Sequence, residues 1–468
     1  MSSPLWSFDE LVRACDGRTE RETGAPITGL SIDTRTLAPG DLFVALKDQR
    51  DGHAFVTQAF KSGAAAALVA EGYEPHPDDG PLIRVRDTLA GLEAIGRAAR
   101  ARLSGDARVI AVTGSAGKTG TKEMLRAGLA RLAPTHAADK SFNNHWGVPL
   151  TLARMPATTR YGVFEIGMNH PGEITPLTRM VRPHVAIVTT VEAVHLAQFP
   201  SVEAIADAKG EIFLGLEPGG AAILNRDNSH FERLRGHAEA AGARVVSFGQ
   251  DARADVRPKM LELAADGTSI ELDLGGRTVR YRVAVPGTHI ALNSLAVAAA
   301  LQEVGADVER ALAVLADLAP PPGRGVRSEL PYGNGRILLI DETYNANPAS
   351  MRAALAVLGT VPRAQHPRRI AVLGDMLELG PDEKQHHLAL KPAIDAAGAD
   401  LVFACGPNME HLFAALEPGR QGGWAERSDG LVQPLLAALK PGDALMIKGS
   451  NGSRMGPLAD TLRRHLTA

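Results

Sequence analysis

Cysteine is scarce in this chain. Of 468 residues only Cys15 and Cys405 are cysteines, far apart and in neither a CxxC pair nor a Cys/His cluster. That excludes a disulfide framework and a structural zinc site, and it fits a reducing, cytoplasmic setting. Positive charge is not in excess either. A formal net charge of −3 offers no bulk attraction for nucleic acid or an anionic membrane, so neither is an expected partner. No window approaches the ~20 apolar residues needed to cross a bilayer. The opening MSSPLWSFDELVRACDG also lacks the basic and apolar stretches of an export signal, so neither membrane insertion nor secretion is expected. A short internal repeat is absent as well. Glycine and proline are plentiful but dispersed, which reads as turn punctuation in a folded protein.

What is present is alternation. The length suggests two to four domains of ~100 to 200 residues, and breaks in the pattern give three. The first hundred residues hold GDLFVAL, of strand type, and AFVTQAFKSGAAAALVA, a helix then a strand. SGDAR, at 104–108, interrupts this small α/β unit. Beyond it RVIAVTG, YGVFEIG, HVAIVTTV and GGAAILN alternate with helical segments, as a parallel sheet covered by helices requires. SIELDL and TVRYRVAV about a GG pair predict an antiparallel hairpin attached to that sheet. LAPPPGRG, at 318–325, cannot continue a helix and marks a second boundary. GRILLIDE, RRIAVLGD, ADLVFACG and DALMIKGS then predict a third α/β unit of Rossmann-like type. The expected fold is therefore α/β in three domains: a small N-terminal one over 1–105, a central parallel-sheet phosphate-loop domain over 106–321, and a Rossmann-like one over 322–468.

The most informative stretch is RVIAVTGSAGKTGTKEMLRAGLARL. Strand, glycine-containing loop, Gly-Lys-Thr and helix follow in the order that phosphate binding needs. Amides of Gly114, Ser115, Ala116 and Gly117 and the helix N-terminus face the anion, Lys118 neutralises phosphate oxygens, and the Thr119 hydroxyl is a magnesium ligand. The usual GxxxxGK[ST] spacing would put glycine at Val112, so the loop is shortened and opens with Thr113-Gly114. The alternative is a glycine-rich turn without a ligand. Glu165 ends a strand-like run where α/β sheets gather ligands, and is either a metal ligand or a solvated acid. His195 and Lys209 follow the next strand; local sequence alone favours a hydrogen-bonded loop histidine and a helix lysine that reaches solvent.

Taken together, TGSAGKT, NNHWGVP, EIGMNHPGEI, VHLAQF…AKGEIF, PPGRG, DETYNANPASM and VLGDMLELG resemble the Mur ligase family of ATP-dependent amide-forming enzymes of peptidoglycan synthesis. Within it, DETYNANPASM, VLGDMLELG and the early DTRTLAPGDLFVAL are similar to the member that joins D-alanyl-D-alanine to UDP-N-acetylmuramoyl-tripeptide. DNPR, carried by the sister enzyme that adds the third residue, is missing from the sequence. The TYNANP segment argues against that enzyme and against a folylpolyglutamate synthase of the same plan. A non-catalytic nucleotide-binding regulator would need the loop but not the other motifs.

The resemblance implies ATP and two magnesium ions. Thr119 and Glu165 are expected to hold one ion, and His195 with a carbamylated Lys209 the second, since a lysine carbamate supplies the anionic oxygens that an ammonium lacks. It further implies Asn293 at adenine, Asp341 at ribose and Arg324 at the phosphates. Tyr344, Asn345, Asn347, Lys448 and Ser450 are expected near ATP and the incoming dipeptide. Ser31, Asp33, Thr34 and Arg35 are expected at the uridine diphosphate, although DTR reads equally as a structural Asx turn, and Asn144 nearer the muramoyl peptide. Ala116, Gly120 and Ile290 depart from the family's usual residues. A monomer acting on small-molecule substrates is expected.

Overall fold

A computed structural model describes residues 4–21, 24–139, 141–194 and 196–467. Four short parallel strands, β1 (Gly29–Ser31), β2 (Asp41–Val44), β3 (Ala66–Ala70) and β4 (Leu82–Val85), pair in sequence order. Apolar runs such as AALVA are buried on both faces, as parallel strands under helices must be.

The second sheet comprises β5 (Arg108–Thr113), β6 (Thr135–Ala137), β7 (Tyr161–Glu165), β8 (Val185–Val188), β9 (Ala221–Asn225) and β10 (Arg244–Phe248). All its pairings are parallel and its order is β10-β9-β8-β5-β7-β6. The chain leaves β5 toward one edge, returns at β7, and then builds outward on the other side through β8. Such a switch opens a crevice at the carboxyl ends of the central strands, where α/β sheets bind ligands.

The expected hairpin is present as β12 (Gly267–Leu274) and β13 (Arg277–Val283). Gly275 and Gly276 between them have φ of 62° and 83°, as a two-residue hairpin turn of this hand requires. It differs from expectation in two ways. A third strand, β11 (Arg257–Ala264), joins it; that strand is mostly exposed and carries Pro258, so no apolar alternation betrays it. The three strands also form a sheet of their own, which meets the central sheet through one apolar core shared with the helix Thr288–Glu303.

The last sheet contains β14 (Val326–Tyr332), β15 (Gly335–Glu342), β16 (Arg369–Gly374), β17 (Leu401–Cys405), β18 (Gln421–Ala425) and β19 (Ala444–Lys448), in the order β14-β15-β19-β16-β17-β18. Only the β14–β15 pair is antiparallel.

The first two sheets are joined by more than chain connectivity. Trp6 Nε1 donates to Ala153 O at 2.8 Å and Arg154 Nε to Leu30 O at 2.7 Å, while the Arg102 guanidinium lies 3.4 Å from the Trp6 ring centre and donates to Met155 O. Leu150 and Ala153 belong to the N-terminal core cluster. Among the described residues no helix is long and apolar enough to cross a membrane.

Candidate active site

β5 ends at Thr113 and the helix Lys118–Ala130 begins directly after Gly117, so the phosphate loop is the turn between them. Gly114 and Gly117 have φ of 146° and 84°, and a Cβ would collide with Thr189 at the first and with Asn293 at the second. Only glycine meets both demands. The segment after β8 braces the loop: Thr189 Oγ1 donates to Ala116 O at 2.5 Å, Ser115 N to Thr190 O at 2.8 Å, and Glu192 N to Ser115 Oγ at 2.9 Å. Lys118 Nζ donates to Gly114 O at 2.6 Å. Burial pulls its pKa down, Glu165 opposes that shift, and Arg324 adds to it.

Glu165 ends β7 beside Val112 of β5 and is 3% exposed. Its Oε2 accepts from Thr119 Oγ1 at 2.8 Å and its Oε1 from Asn143 Nδ2 at 2.7 Å. The structure thus brings together the hydroxyl and carboxylate singled out as ligands of one ion. Both are hard oxygen donors, which suit magnesium shared with phosphates and water. Among the described residues no group of three or more His, Cys, Asp or Glu could hold a metal.

Lys209, on the helix Val202–Gly210, is 2% exposed, and its side-chain amine makes no hydrogen bond or ion pair with the described residues. Burial first, and the charge of Lys118 second, hold its pKa well below the ordinary lysine value. His195 lies outside the described residues.

A cleft of about 1120 Å³ opens beside the loop. Ser115 to Thr119, Asn144, Glu165 and Asn293 line it from the central part of the chain; Arg324, Tyr344, Asn345, Asn347 and Lys448 face them. Arg324 stacks 3.9 Å from the Tyr344 ring centre. Asn347 caps the helix Pro348–Gly359 by accepting from Ser350 N at 2.8 Å, and the Asn144 side-chain Oδ1 accepts from Gly147 N at 2.9 Å. Lys448 Nζ donates to Asn345 O at 2.9 Å and lies 3.5 Å from Glu342 Oε2. Burial lowers the Lys448 pKa and raises that of Glu342, while their attraction opposes both shifts.

Other expected residues do not line this cleft. Gly114 and Lys209 are buried. Asp341 is 6% exposed, with one carboxylate oxygen 2.5 Å from Arg463 Nη2 and the other accepting from Thr343 Oγ1 at 2.7 Å. Ser450 Oγ accepts from Leu377 N at 2.9 Å, holding the VLGDMLELG segment. Farther off, Ser31 Oγ donates to Asp33 O, and Asp33 Oδ1 accepts from Arg35 N at 2.9 Å, so the DTR segment is an Asx turn with Thr34 at its tip. The Arg35 guanidinium pairs with the same carboxylate at 2.6 Å while remaining 86% exposed.

Cleft residues that the sequence does not single out include Asn143, Glu192, Arg327 and Glu342. Asn143 stood within the NNHWGVP motif. Glu342 follows Asp341 on β15, and neighbours on a strand point to opposite faces; that alternation implies that only one of the pair can meet the cleft, but not which.

The fold and this loop define a class. Residues 112–301 match the family model described as the Mur ligase middle domain, and residues 326–451 the one described as Mur ligase, glutamate ligase domain; the chain belongs to the Mur ligase family. Its curated relatives include the UDP-N-acetylmuramoyl-tripeptide–D-alanyl-D-alanine ligase of Escherichia coli K12, 36% identical over 95% of this chain and 96% of that one. MurF from Acinetobacter baumannii superposes with a TM-score of 0.85 at 29% identity, over 99% of this chain and 100% of that one. MurF ligase from Thermotoga maritima, in complex with ADP, gives 0.77 at 25% identity over 94% and 97%.

Proposed function

We propose that this chain is the ATP-dependent amide ligase of peptidoglycan precursor synthesis that joins D-alanyl-D-alanine to UDP-N-acetylmuramoyl-tripeptide. The observation that carries this reading is one cleft in which a phosphate loop and its Thr119–Glu165 oxygen pair face Arg324 and a buried Lys448. Full-length likeness to ligases of that name supports the substrates.

A carboxylate does not acylate an amine in water without activation, and ATP supplies it. The terminal carboxylate of the tripeptide attacks the γ-phosphorus of ATP, and the bond to ADP breaks, leaving an acyl phosphate. The free amine of D-alanyl-D-alanine then attacks the acyl carbon; phosphate leaves, and the nitrogen loses a proton as the amide forms. Lys118 and Arg324 stabilise charge on the transferring phosphoryl group, and the loop amides orient it. Asn293, which packs over Gly117, would meet adenine.

Thr119 and Glu165 would hold one magnesium ion, and His195 with a carbamylated Lys209 a second; when bound, the ions neutralise phosphate charge and align its oxygens. Carbamate formation needs an unprotonated amine, and a buried lysine beside Lys118 favours that form. Residues 1–105, with Ser31, Asp33, Thr34 and Arg35, are assigned to the UDP-sugar, 106–321 to ATP, and 322–468 to the dipeptide through Tyr344, Asn345, Asn347, Lys448 and Ser450. Closure of the last unit over the cleft would keep water from the acyl phosphate.

Coupled ADP release tests this reading. Turnover should require both the tripeptide and the dipeptide. ATP hydrolysis indifferent to both would point to a nucleotide-binding regulator, and turnover with a free amino acid in place of the dipeptide to a sister ligase.

A further inference from the structure

Asn143 touches the proposed cation site from outside the phosphate loop. Its side-chain amide donates to Glu165 Oε1 at 2.7 Å, while its backbone carbonyl accepts from Gly167 N at 2.8 Å. One residue therefore grips the exit of β7 on both sides of Ile166. The fit is close: a Cβ on Gly167 would sit 3.0 Å from the Asn143 carboxamide carbon, so the glycine lets the amide lie against the strand end. The grip is itself anchored. Next to Asn143, Phe142 packs edge-on to Trp146 with ring centres 6.1 Å apart, and Ser141 Oγ lies 3.3 Å from Thr119 Oγ1.

We infer that Asn143 is a positioning residue for the divalent cation: it fixes the Glu165 carboxylate through Oε1 so that Oε2 is the oxygen presented beside Thr119. An amide does this without adding charge. A cationic donor at the same place would compete with the metal, and an acidic side chain would repel the carboxylate it has to hold. Partners of this kind fix ligand orientation, and their loss typically costs ~10- to 100-fold in metal affinity. The inference rests on the reading of Thr119 and Glu165 as cation ligands.

The test is a titration with Mn²⁺, followed by its electron paramagnetic resonance signal, in the presence of a non-hydrolysable ATP analogue. The parent protein is compared with Asn143→Ala, with Asn143→Leu, which keeps bulk against Gly167 but has no donor, and with Glu165→Gln. The expected result is Mn²⁺ binding weakened about 10- to 100-fold in both Asn143 variants. The Mg²⁺ concentration for half-maximal ligation should rise in step, while the KM for the tripeptide stays within about two-fold of the parent. Mn²⁺ binding at the parent level in whichever Asn143 variant keeps its fold, with Glu165→Gln impaired, overturns the inference and leaves the cation site standing. Parent-level binding in Glu165→Gln as well removes the cation site, and the inference with it.

Discussion

Thr119 and Glu165, 46 residues apart in sequence, are joined by a 2.8 Å hydrogen bond at the carboxyl ends of adjacent strands. The strand order makes this meeting possible, because β7 returns to lie against β5 after the chain has visited the sheet edge. If the pair holds a cation against ATP, its two members should fail together. Thr119→Val and Glu165→Gln are each expected to lower kcat by ~10² or more, with Thr119→Ser retaining most activity, measured by ADP release. A Thr119→Val enzyme near parental activity would remove the hydroxyl from the site.

Lys209 offers a second prediction. It is buried, its side-chain amine makes no hydrogen bond or ion pair with the described residues, and its pKa is depressed, so as a plain ammonium it would be costly to keep. Lys209→Ala should lose ~10²-fold or more in kcat, and added bicarbonate should not restore it. Carbon-13 bicarbonate should give a carbamate resonance in the parent protein that is absent from the variant. Parental activity in Lys209→Ala would dismiss the carbamate.

Legibility in the sequence followed the physics of each feature. The phosphate loop was readable because strand, glycine turn, lysine and helix lie within a dozen consecutive residues. The apolar runs of β5, β7, β8 and β9 were readable because a strand buried on both faces must be apolar throughout. β11 was not, since an exposed strand carries no such pattern, and neither was the separation of its sheet from the central one, which is a matter of pairing across long sequence distances. Within the site, Glu165 could be placed at a strand end, but its partner Asn143 could not, because that contact depends on how the loop after β6 folds back. The neighbours Asp341 and Glu342 show the same limit.

That pair yields a third prediction. Asp341 is bound to Arg463 and Thr343, whereas Glu342 faces the cleft beside Lys448. Asp341→Asn should cost stability, about 1 to 3 kcal/mol for a partly buried ion pair, with a modest effect on kcat. Glu342→Gln should change kcat or KM by ~10-fold, and because it leaves the buried Lys448 ammonium without its carboxylate it should lower the melting temperature as well. Thermal melts and steady-state kinetics on both variants decide it; a larger rise in the KM for ATP from Asp341→Asn than from Glu342→Gln would return the ribose contact to Asp341.

A fourth concerns acid stability. His184 Nδ1 accepts from Val109 N at 3.0 Å, and burial, reinforced by Arg100 and Arg108, brings its pKa down from 6.5 to about 4. The folded state therefore holds it neutral where the unfolded chain would protonate it. Its contribution to stability is complete above pH 6.5 and is lost as the pH falls toward 4. His184→Asn keeps an acceptor for Val109 but cannot titrate, so its melting temperature should fall less steeply over that window. Parallel curves for the two proteins would exclude His184 as a source of acid sensitivity.

The most direct measurement follows oxygen. UDP-N-acetylmuramoyl-tripeptide labelled with ¹⁸O in its terminal carboxylate, incubated with ATP and D-alanyl-D-alanine, should yield phosphate carrying one labelled oxygen, and only when both peptides are present. The signal should vanish in Lys118→Ala. Unlabelled phosphate alongside amide product would contradict transfer of the γ-phosphoryl group to the peptide in this cleft.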